Sequence, residues 1–247
     1  LGDCGSNPHQ GSMKIIAIGD THGRDTWKKI VEKEKDADTI IFIGDYFDTF
    51  NPELRGKKEM LNFKEIVDFA REKRGKVVLL IGNHDFHYMD CAQEQYSGYN
   101  KEFAPLFGKL LADASDLMTM CHIQGGHMFT HAGVSTKWLE DNNCTVDDIN
   151  NLFKTKPDAF RFYRGDKSGY GDNWHQSPIW VRPESLVPNA VQDYIQVVGH
   201  THQDYVTYYE GSEPTRLVMI DCLDNAEEYL TVINGQPQTS TLHDVQT

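Results

Sequence analysis

The sequence predicts an α/β fold built on a largely parallel β-sheet. Three short apolar segments each end in a glycine followed by polar residues, and they lie within Lys14–Gly23, Thr39–Asp48 and Val77–Asp85. Unbroken apolar segments of this length are typical of strands covered on both faces. Helical patterns separate them, and this alternation favours right-handed crossovers between parallel strands.

Two amphipathic helices are predicted between these strands. The first begins near Asp25, where apolar residues recur at helical spacing. The second spans Lys57 to Arg74, carries one apolar stripe and stops at Gly75.

The pattern is weaker after residue 85. Residues 86–121 are expected to be mostly helical or irregular, with a helical signal at Phe103–Leu111. A strand near 126–131, two short helices within 134–153 and a non-periodic stretch from Pro157 to Pro188 follow. The last predicted elements are a strand at 194–198 and antiparallel strands at 205–209, 216–220 and 229–233.

We expect a single folded domain. Residues 1–12 are polar and patternless, and they resemble the remnant of an expression tag that precedes Met13. Residues 13–235 would form the domain, since a chain of 247 residues can bury one large core. Residues 236–247 are a polar tail that we expect to be frayed.

The composition is that of an acidic globular protein with a formal charge of −13. Such a surface disfavours long nucleic acids, whose affinity for proteins comes largely from Lys and Arg at phosphates. No apolar stretch approaches the roughly 20 residues of a membrane span. Five scattered cysteines without a Cys-x-x-Cys pair are typical of a reducing compartment. We therefore expect a cytoplasmic protein with no membrane partner.

Polar residues collect at the predicted strand ends: Asp20, His22, Asp45, Asn83, His84, His131, His200 and His202. Carboxylates, an amide and imidazoles together suit borderline divalent metals. The separations of 25 residues from Asp20 to Asp45 and 38 from Asp45 to Asn83 each allow one helical crossover. Because neighbouring strand ends lie about 4.8 Å apart, these side chains can converge on metals roughly 3.5–4 Å apart.

Each of these residues alone has a simpler interpretation. A single Asp after a strand is more often a turn former or a helix cap. Structural or surface roles are assigned to four other histidines: His87, His122, His127 and His175. The strand-end residues taken jointly are poorly explained in this way, because independent turn formers would not repeatedly carry ligand-capable side chains.

Taken together, these motifs resemble those of the calcineurin-like metallophosphoesterase superfamily. The family signature is Asp-x-His, Gly-Asp-x-x-Asp, Gly-Asn-His-Asp/Glu, a single His and Gly-His-x-His. The matching residues are, in the same order, Asp20-Thr21-His22, Gly44-Asp45-Tyr46-Phe47-Asp48, Gly82-Asn83-His84-Asp85, His131 and Gly199-His200-Thr201-His202. The resemblance implies an α/β fold with a two-sheet β-sandwich flanked by helices, in four αββα layers.

The resemblance also implies a role for each of these residues. Metal 1 would be bound by Asp20, His22, Asp45 and His202, and metal 2 by Asp45, Asn83, His131 and His200, with Asp45 bridging. His84 would donate a proton to the leaving oxygen, or a hydrogen bond to the phosphoryl group, and Asp48 would orient it. Two divalent ions are expected, Mn²⁺ first, with Fe, Zn²⁺, Co²⁺ or Ni²⁺ as alternatives.

Two further stretches resemble the protein-phosphatase and diadenosine-tetraphosphatase branch: His131-Ala132-Gly133-Val134 and Pro178-Ile179-Trp180-Val181-Arg182-Pro183. That branch usually carries arginines where this chain has Thr49 and, in many members, Ile81. Because such arginines bind phosphate in a bidentate fashion, a standard protein-phosphatase site is not expected here. The substrate-binding candidates are Arg182, Arg161 and Arg164, and the alternative is that they are solvated or salt-bridged loop residues.

The expected activity is phosphomonoester hydrolysis by metal-bound hydroxide, with a small molecule or a phosphoprotein as substrate. A phosphodiesterase or pyrophosphohydrolase acting on small nucleotides is the alternative, since an acidic surface does not exclude small nucleotides. A remote alternative is a non-catalytic protein-binding scaffold. Such scaffolds tend to lose metal ligands or the histidine at position 84, whereas this chain keeps the full set.

Overall fold

A computed structural model describes residues 13–165, 171–209 and 216–243, which form two β-sheets with helices on their outer faces. The first sheet has the order β11-β10-β1-β2-β3-β4. Its strands are β1 Lys14–Ile18, β2 Thr39–Phe42, β3 Val77–Leu80, β4 Met118–Thr119, β10 Glu228–Ile233 and β11 Gln236–Thr241. Strands β1 to β4 are parallel, whereas β10 and β11 extend the sheet in antiparallel fashion beside β1.

The second sheet has the order β5-β6-β7-β9-β8. Its strands are β5 Cys121–Gln124, β6 His127–Thr130, β7 Ile195–Val198, β8 Thr207–Tyr209 and β9 Leu217–Met219. The three central strands β6, β7 and β9 are parallel, and both edge strands are antiparallel to their neighbours. The carboxyl ends of β6 and β7 therefore lie side by side.

Seven α-helices are described in addition to short 3₁₀ turns. They are α1 Thr26–Lys33, α2 Lys57–Glu72, α3 Asn83–Phe86, α4 Ala104–Asp113, α5 Thr136–Asn142, α6 Ile149–Thr155 and α7 Pro183–Leu186. The 3₁₀ turns cover Val146–Asp148, Pro157–Phe160 and Val187–Asn189. Within the described part of the chain, no helix has both the length and the apolar character needed to cross a bilayer.

Side-chain alternation along β1 separates the layers of the fold. Ile15 and Ala17 pack between the sheets with residues of the second sheet such as Phe129 and Val197. Their neighbours Ile16 and Ile18 point to the opposite face, where they pack with helix residues including Trp27, Ile30, Phe63 and Ile66. On the far side of the second sheet, Met128 packs with Trp138, Ile149 and Phe160. The result is the four-layer αββα arrangement that the motifs imply.

The structure confirms the three parallel strands and both crossover helices predicted in the first half of the chain. It corrects two expectations in the rest. The stretch 86–121 is mostly helical or irregular as expected and also contains the short strand β4. The predicted antiparallel strands near 216–220 and 229–233 are β9 and β10, which belong to different sheets. The tail from Gln236 is paired along its whole strand with β10 rather than frayed. The expected tag remnant at 1–12 lies outside the described residues.

Candidate metal centre

The strand-end residues meet at one edge of the two sheets. Asp20, Asp45 and Asn83 follow β1, β2 and β3, while His131 and His200 follow β6 and β7. Carboxyl ends of parallel strands share an edge, and open α/β sheets bind ligands there. Ligand atoms of Asp20, Asp45 and His131 lie within 4.8 Å of one another, and these three side chains are buried. Each sheet therefore contributes to one cluster.

Glycines allow the loops of this cluster to approach each other. A Cβ atom on Gly82 would lie 2.0 Å from Oδ1 of Asp45, and one on Gly199 would lie 1.9 Å from Oδ1 of Asp20. No larger residue fits at either position without moving a carboxylate. The glycine before Asn83 and the one before His200 thus bring carboxylates against neighbouring loops.

The backbone is strained at the centre itself. Seven described non-glycine residues have positive φ, and four of them are His22 (43°), Asp45 (54°), Asp48 (63°) and His200 (62°). The left-handed region is costly for such residues and persists only where the surroundings impose it. Strain of this kind concentrates at functional sites, and it marks the loops after β1, β2 and β7.

Hydrogen bonds orient the imidazole of His131 so that its Nε2 faces acceptor atoms. Its Nδ1 lies 3.0 Å from the carbonyl oxygen of Ile43, which can only accept, so Nδ1 donates. In the neutral ring Nε2 then carries no proton, yet it lies 2.9 Å from Oδ1 of Asn83 and 3.3 Å from Oδ2 of Asp45. Acceptor atoms at these separations need a proton or a cation between them.

Other atoms of the cluster have the same need. Nδ1 of His200 also lies 2.9 Å from Oδ1 of Asn83. In the described part of the chain, Oδ1 of Asp20 and Nε2 of His200 are buried without a hydrogen-bond partner. Nδ1 of His22 donates to the carbonyl oxygen of Phe47 at 2.5 Å, which leaves its Nε2 free to coordinate. This donor set fits divalent cations bound by oxygen and imidazole nitrogen.

Burial and neighbouring charges shift the pKa values of the candidate ligands. Burial, reinforced by Asp221 and Asp45, raises the pKa of Asp20 well above its ordinary value. Burial also acts to raise the pKa of Asp45, but His131, His84 and other imidazoles outweigh it, so that the pKa is lowered. Burial lowers the pKa of His22 to about 4, which keeps the ring neutral at physiological pH. A neutral imidazole beside ionised Asp45 is the form that binds a metal.

His84 and Asp48 form a pair beside this cluster. Nδ1 of His84 lies 2.9 Å from Oδ2 of Asp48, whose side chain is fully buried. Burial acts to lower the pKa of His84, but Asp45 and the hydrogen bond to Asp48 outweigh it and raise that pKa to about 9. His84 therefore keeps its proton at neutral pH, and its Nδ1 is held by Asp48 while Nε2 is left for another partner.

Sequence reasoning missed the contribution of His87. Its Nε2 lies 2.6 Å from Oδ2 of Asp48. The N–H bond does not point at this oxygen, so the two atoms make a close polar contact and not an aligned hydrogen bond. Its Nδ1 accepts the backbone N–H of Tyr96 at 3.2 Å, which places the proton on Nε2. The hydroxyl of Tyr88 also donates to Asp48. The spacing of two histidines three residues apart in the 84–87 stretch is the signal that could have identified His87.

Two buried acids outside the ligand set hold the loops together. The carboxylate of Asp85 accepts the backbone N–H groups of Asp45, Tyr46 and Gly82, each at 2.8 Å. Burial and the nearby Asp45 raise the pKa of Asp85 to about 7. Glu59 accepts the N–H groups of Thr49 and Gly56, both at 2.6 Å. The loops after β2 and β3 are thereby tied to each other and to α2.

His202 is the candidate ligand that lies furthest from this arrangement. Its side chain is 54% exposed, Nδ1 lies 3.6 Å from Asp224, and Nε2 lies 3.1 Å from the amide nitrogen of Asn225. It nevertheless lines the same cleft of about 360 Å³ as Asp20, Asp45 and His84. Side-chain rotation would be needed to add it to the cluster.

The three candidate arginines are separated in the structure. Arg182 lines the cleft, and its Nη1 donates to Oγ1 of Thr201 at 3.3 Å. Arg161 and Arg164 line a different cavity, where Arg161 pairs with Asp158 at 2.7 Å and Arg164 pairs with Glu94 at 2.6 Å.

The cleft also contains an acid that sequence reasoning missed. Asp221 follows β9 after the apolar run Leu217–Ile220, so it repeats the strand-then-carboxylate pattern of the first sheet. Burial and the charge of Asp45 raise the pKa of Asp221 to about 6. The short strand β9 gives a weaker sequence signal than the strands of the first sheet, so the carboxylate that follows it was not predicted.

Two packed sheets with carboxylate and imidazole ligands at their shared edge define a class of α/β metal-dependent hydrolases. The family model for calcineurin-like phosphoesterases matches residues 13–231. The chain belongs to this family and is a hydrolase acting on phosphoric ester bonds. None of the curated proteins matches the chain.

Solved structures with this fold include several phosphatases. A cold-active protein-tyrosine phosphatase from a psychrophilic Shewanella species is 18% identical, with a TM-score of 0.59 over 93% of this chain and 80% of that one. A protein serine/threonine phosphatase from Saccharomyces cerevisiae is 16% identical, with a TM-score of 0.53 over 94% and 81%. A proposed diadenosine tetraphosphatase is 15% identical, with a TM-score of 0.51 over 94% of both chains. At these identities the likeness shows the fold.

Proposed function

We propose that the protein is a phosphomonoesterase that requires two divalent metal ions, with Mn²⁺ as the first candidate. The observation that carries the proposal is a cluster of potential ligand atoms next to the protonated His84. In it, Nε2 of His131 and Nδ1 of His200 each lie 2.9 Å from Oδ1 of Asn83, and Oδ2 of Asp45 lies 3.3 Å from Nε2 of His131. One part of this cleft suits cations and the other a proton donor, which is the combination that phosphate ester hydrolysis needs.

The ligand sets follow the family motifs. Asp20, His22, Asp45 and His202 would hold one ion, and Asp45, Asn83, His131 and His200 would hold the other. When bound, the two ions would withdraw charge from the phosphoryl oxygens and make a water molecule acidic enough to attack near neutral pH. The carbonyl oxygens of Ile43 and Phe47 orient His131 and His22 for this purpose.

His84 acts on the leaving group. As the bond between phosphorus and the leaving oxygen breaks, that oxygen takes a proton from Nε2 of His84, and Asp48 stabilises the charged ring until then. The pKa of about 9 ensures that the proton is present at neutral pH. Of the three candidate arginines, Arg182 would bind the phosphoryl group, since it lines the cleft.

The preference for monoesters is supported by the two related folds that are described as protein phosphatases. Cleavage of a nucleotide pyrophosphate bond is the second candidate activity, because one related fold is described as a proposed diadenosine tetraphosphatase. Comparing p-nitrophenyl phosphate with bis-p-nitrophenyl phosphate and a dinucleoside polyphosphate, each with Mn²⁺, Zn²⁺, Co²⁺, Ni²⁺ and Fe²⁺, distinguishes these activities. Faster turnover of the diester or of the polyphosphate would refute the monoesterase proposal.

Variants of the ligands test the metal requirement. Asp45→Asn and His200→Ala should lose bound metal and activity, because each removes a ligand from the cluster. The matched control is His243→Ala, since the side chain of His243 is 71% exposed and far along the chain from the motifs. Metal content measured on the purified proteins, together with turnover, decides the matter: full metal content and full activity in Asp45→Asn would contradict the assignment.

A variant of His84 tests the proton donor separately. His84→Ala should retain metal but lose roughly 10²–10⁴-fold in kcat on an ester with a poor leaving group, which is the usual effect of removing acid–base catalysis. The loss should be smaller for p-nitrophenyl phosphate, whose leaving group needs little protonation. Equal losses on both esters would argue against the role.

A cytoplasmic location is also proposed. Cys91, Cys121, Cys144 and Cys222 are free thiols, which suits a reducing compartment.

A further inference from the structure

Phe50 is an exposed aromatic residue at the candidate active site. Its side chain is 77% exposed, compared with 65% for Tyr205 and 48% for Trp174. It lines the cleft that contains Asp45 and His84. Single exposed apolar residues are common on protein surfaces, so exposure alone indicates nothing. What distinguishes Phe50 is its position in a firmly anchored catalytic loop.

Hydrogen bonds hold the backbone on both sides of Phe50. The N–H group of Thr49 donates to the buried carboxylate of Glu59 at 2.6 Å, and the guanidinium of Arg55 donates to the carbonyl oxygen of Thr49 at 3.2 Å. The N–H group of Asn51 donates to Oγ1 of Thr49 at 3.1 Å. These hydrogen bonds hold the loop in one conformation, and the loop exposes the aromatic ring of Phe50 to solvent.

The wall of the cleft offers a second, rigid aromatic group. The ring of Trp180 packs against Tyr96, Phe162 and His200, with centroid distances of 4.4, 5.1 and 5.9 Å. Trp180 and Phe50 both line the cleft, one beside a candidate metal ligand and the other at the exposed loop. The cleft thus combines a charged centre with aromatic surface.

The position of the leaving group connects Phe50 to the substrate. His84 protonates the leaving oxygen in the proposed function, so the organic part of the substrate extends from the phosphoryl group on the His84 side. Asp48, which holds His84, lies two residues before Phe50, a span of at most about 7 Å between Cα atoms. Phe50 therefore lines the same cleft as His84 and follows closely the residue that orients His84.

We propose that the substrate is a phosphomonoester whose alcohol carries an aromatic ring close to the ester oxygen, and that Phe50 binds this ring. This inference rests on the proposed phosphomonoesterase function. Ring pairs prefer offset or edge-to-face contacts, which give them an advantage beyond buried area. Phenyl and benzyl phosphates share this chemistry with the phosphotyrosine side chain of a peptide.

The test compares benzyl phosphate with cyclohexylmethyl phosphate. Both release a primary alcohol through the same methylene group, so the ring differs in aromaticity while the leaving group stays similar. Wild type should show a kcat/KM about two- to tenfold higher for the benzyl ester, the range expected for one aromatic pair. Phe50→Leu, which keeps an apolar side chain, should bring the ratio close to one, whereas Phe50→Tyr should preserve it.

Control measurements separate the possible failures. Tyr205→Leu removes an exposed aromatic residue that does not line the cleft, and it should leave the ratio unchanged. Benzylphosphonate and cyclohexylmethylphosphonate give the same comparison as inhibition constants, without hydrolysis. A phosphotyrosine peptide turned over with the same dependence on Phe50 would indicate protein substrates. Turnover of the benzyl ester without turnover of the peptide would indicate small phosphate esters that carry an aromatic ring.

Equal kcat/KM for the two esters in wild type, or a benzyl preference that survives in Phe50→Leu, would overturn this inference. If such a result accompanies turnover of p-nitrophenyl phosphate, the phosphomonoesterase function stands and only the aromatic specificity fails. If metal-loaded wild type hydrolyses no phosphomonoester at all, both are overturned.

Discussion

Replacing Asp85 tests whether a buried carboxylate holds the loops of the candidate metal centre together. Its oxygens accept three backbone N–H groups, from Asp45, Tyr46 and Gly82, each at 2.8 Å. Asp85→Ala would leave these three donors buried and unsatisfied. At about 1–3 kcal/mol for each lost partner, the cost is roughly 3–9 kcal/mol. A domain of this kind has about 5–15 kcal/mol of stability in total, so we expect Asp85→Ala to lose much or all of it.

Asp85→Asn is the variant that gives a measurable change. Oδ2 of Asp85 serves Asp45 and Gly82, while Oδ1 serves Tyr46 alone. An amide oxygen in the Oδ2 position keeps two hydrogen bonds, and the amide NH₂ then faces the N–H group of Tyr46. The N–H group of Tyr46 loses its acceptor and the new NH₂ group gains none, so the free energy of unfolding should fall by at least about 1–3 kcal/mol.

Urea unfolding of metal-free and metal-loaded protein measures this change, and calorimetric titration measures metal affinity. Asp90→Asn is the matched control, because Asp90 is exposed and lies near the same short helix. We expect Asp85→Asn to weaken metal binding as well, since the candidate ligands Asp45 and Asn83 come from the loops that Asp85 joins. An unfolding free energy within about 0.5 kcal/mol of wild type for Asp85→Ala would refute the reasoning.

Two further predictions concern histidines outside the ligand set. His87→Phe keeps a ring in place but removes a contact to Asp48, the residue that orients His84. We therefore expect kcat to fall for an ester with a poor leaving group, which depends on His84, and to change little for p-nitrophenyl phosphate. Equal losses of kcat on both esters would indicate a purely structural role. Burial lowers the pKa of His127 from 6.5, although its hydrogen bond with Gly125 opposes this. The unfolded chain therefore binds a proton more readily below pH 6.5, and stability falls as pH drops through that value, by at most about 1.4 kcal/mol per pH unit for this group. Urea unfolding at pH 7 and pH 5 should show a smaller acid loss in His127→Phe, and an unchanged difference would contradict the prediction.

The meeting of the candidate ligands at one sheet edge could be predicted because its signals are local. An apolar strand, a glycine and then a ligand recur after β1, β2 and β3, and each repeat can be recognised without knowing the rest of the fold. The close approach of Gly82 to Asp45 explains why glycine belongs to the pattern. The sequence spacing is also compatible with neighbouring parallel strands, because each crossover has room for one helix.

Sheet membership in the last third of the chain has no local signal. Strands β9 and β10 are both mostly apolar, yet β9 pairs with β7 and β10 pairs with β1. Their partners lie far away in sequence, so pairing depends on which edges the earlier strands leave open. Strand β11 gives no apolar signal, because it lies at the edge of the sheet and is mostly polar. It pairs with β10, and the hydroxyl groups of Thr231 and Ser240 lie 2.7 Å apart across this pair.

The supporting residues of the site are harder to predict than its ligands. Asp85 and Glu59 are buried acids that touch backbone N–H groups, and such contacts depend on loop conformations that no spacing specifies. These same acids tie down the loops that carry strained Asp45 and Asp48. A ligand motif without them could still supply the coordinating atoms, but nothing would offset the strain that aims those atoms at a common point. The Asp85 variants therefore test whether the motif or its support limits metal binding.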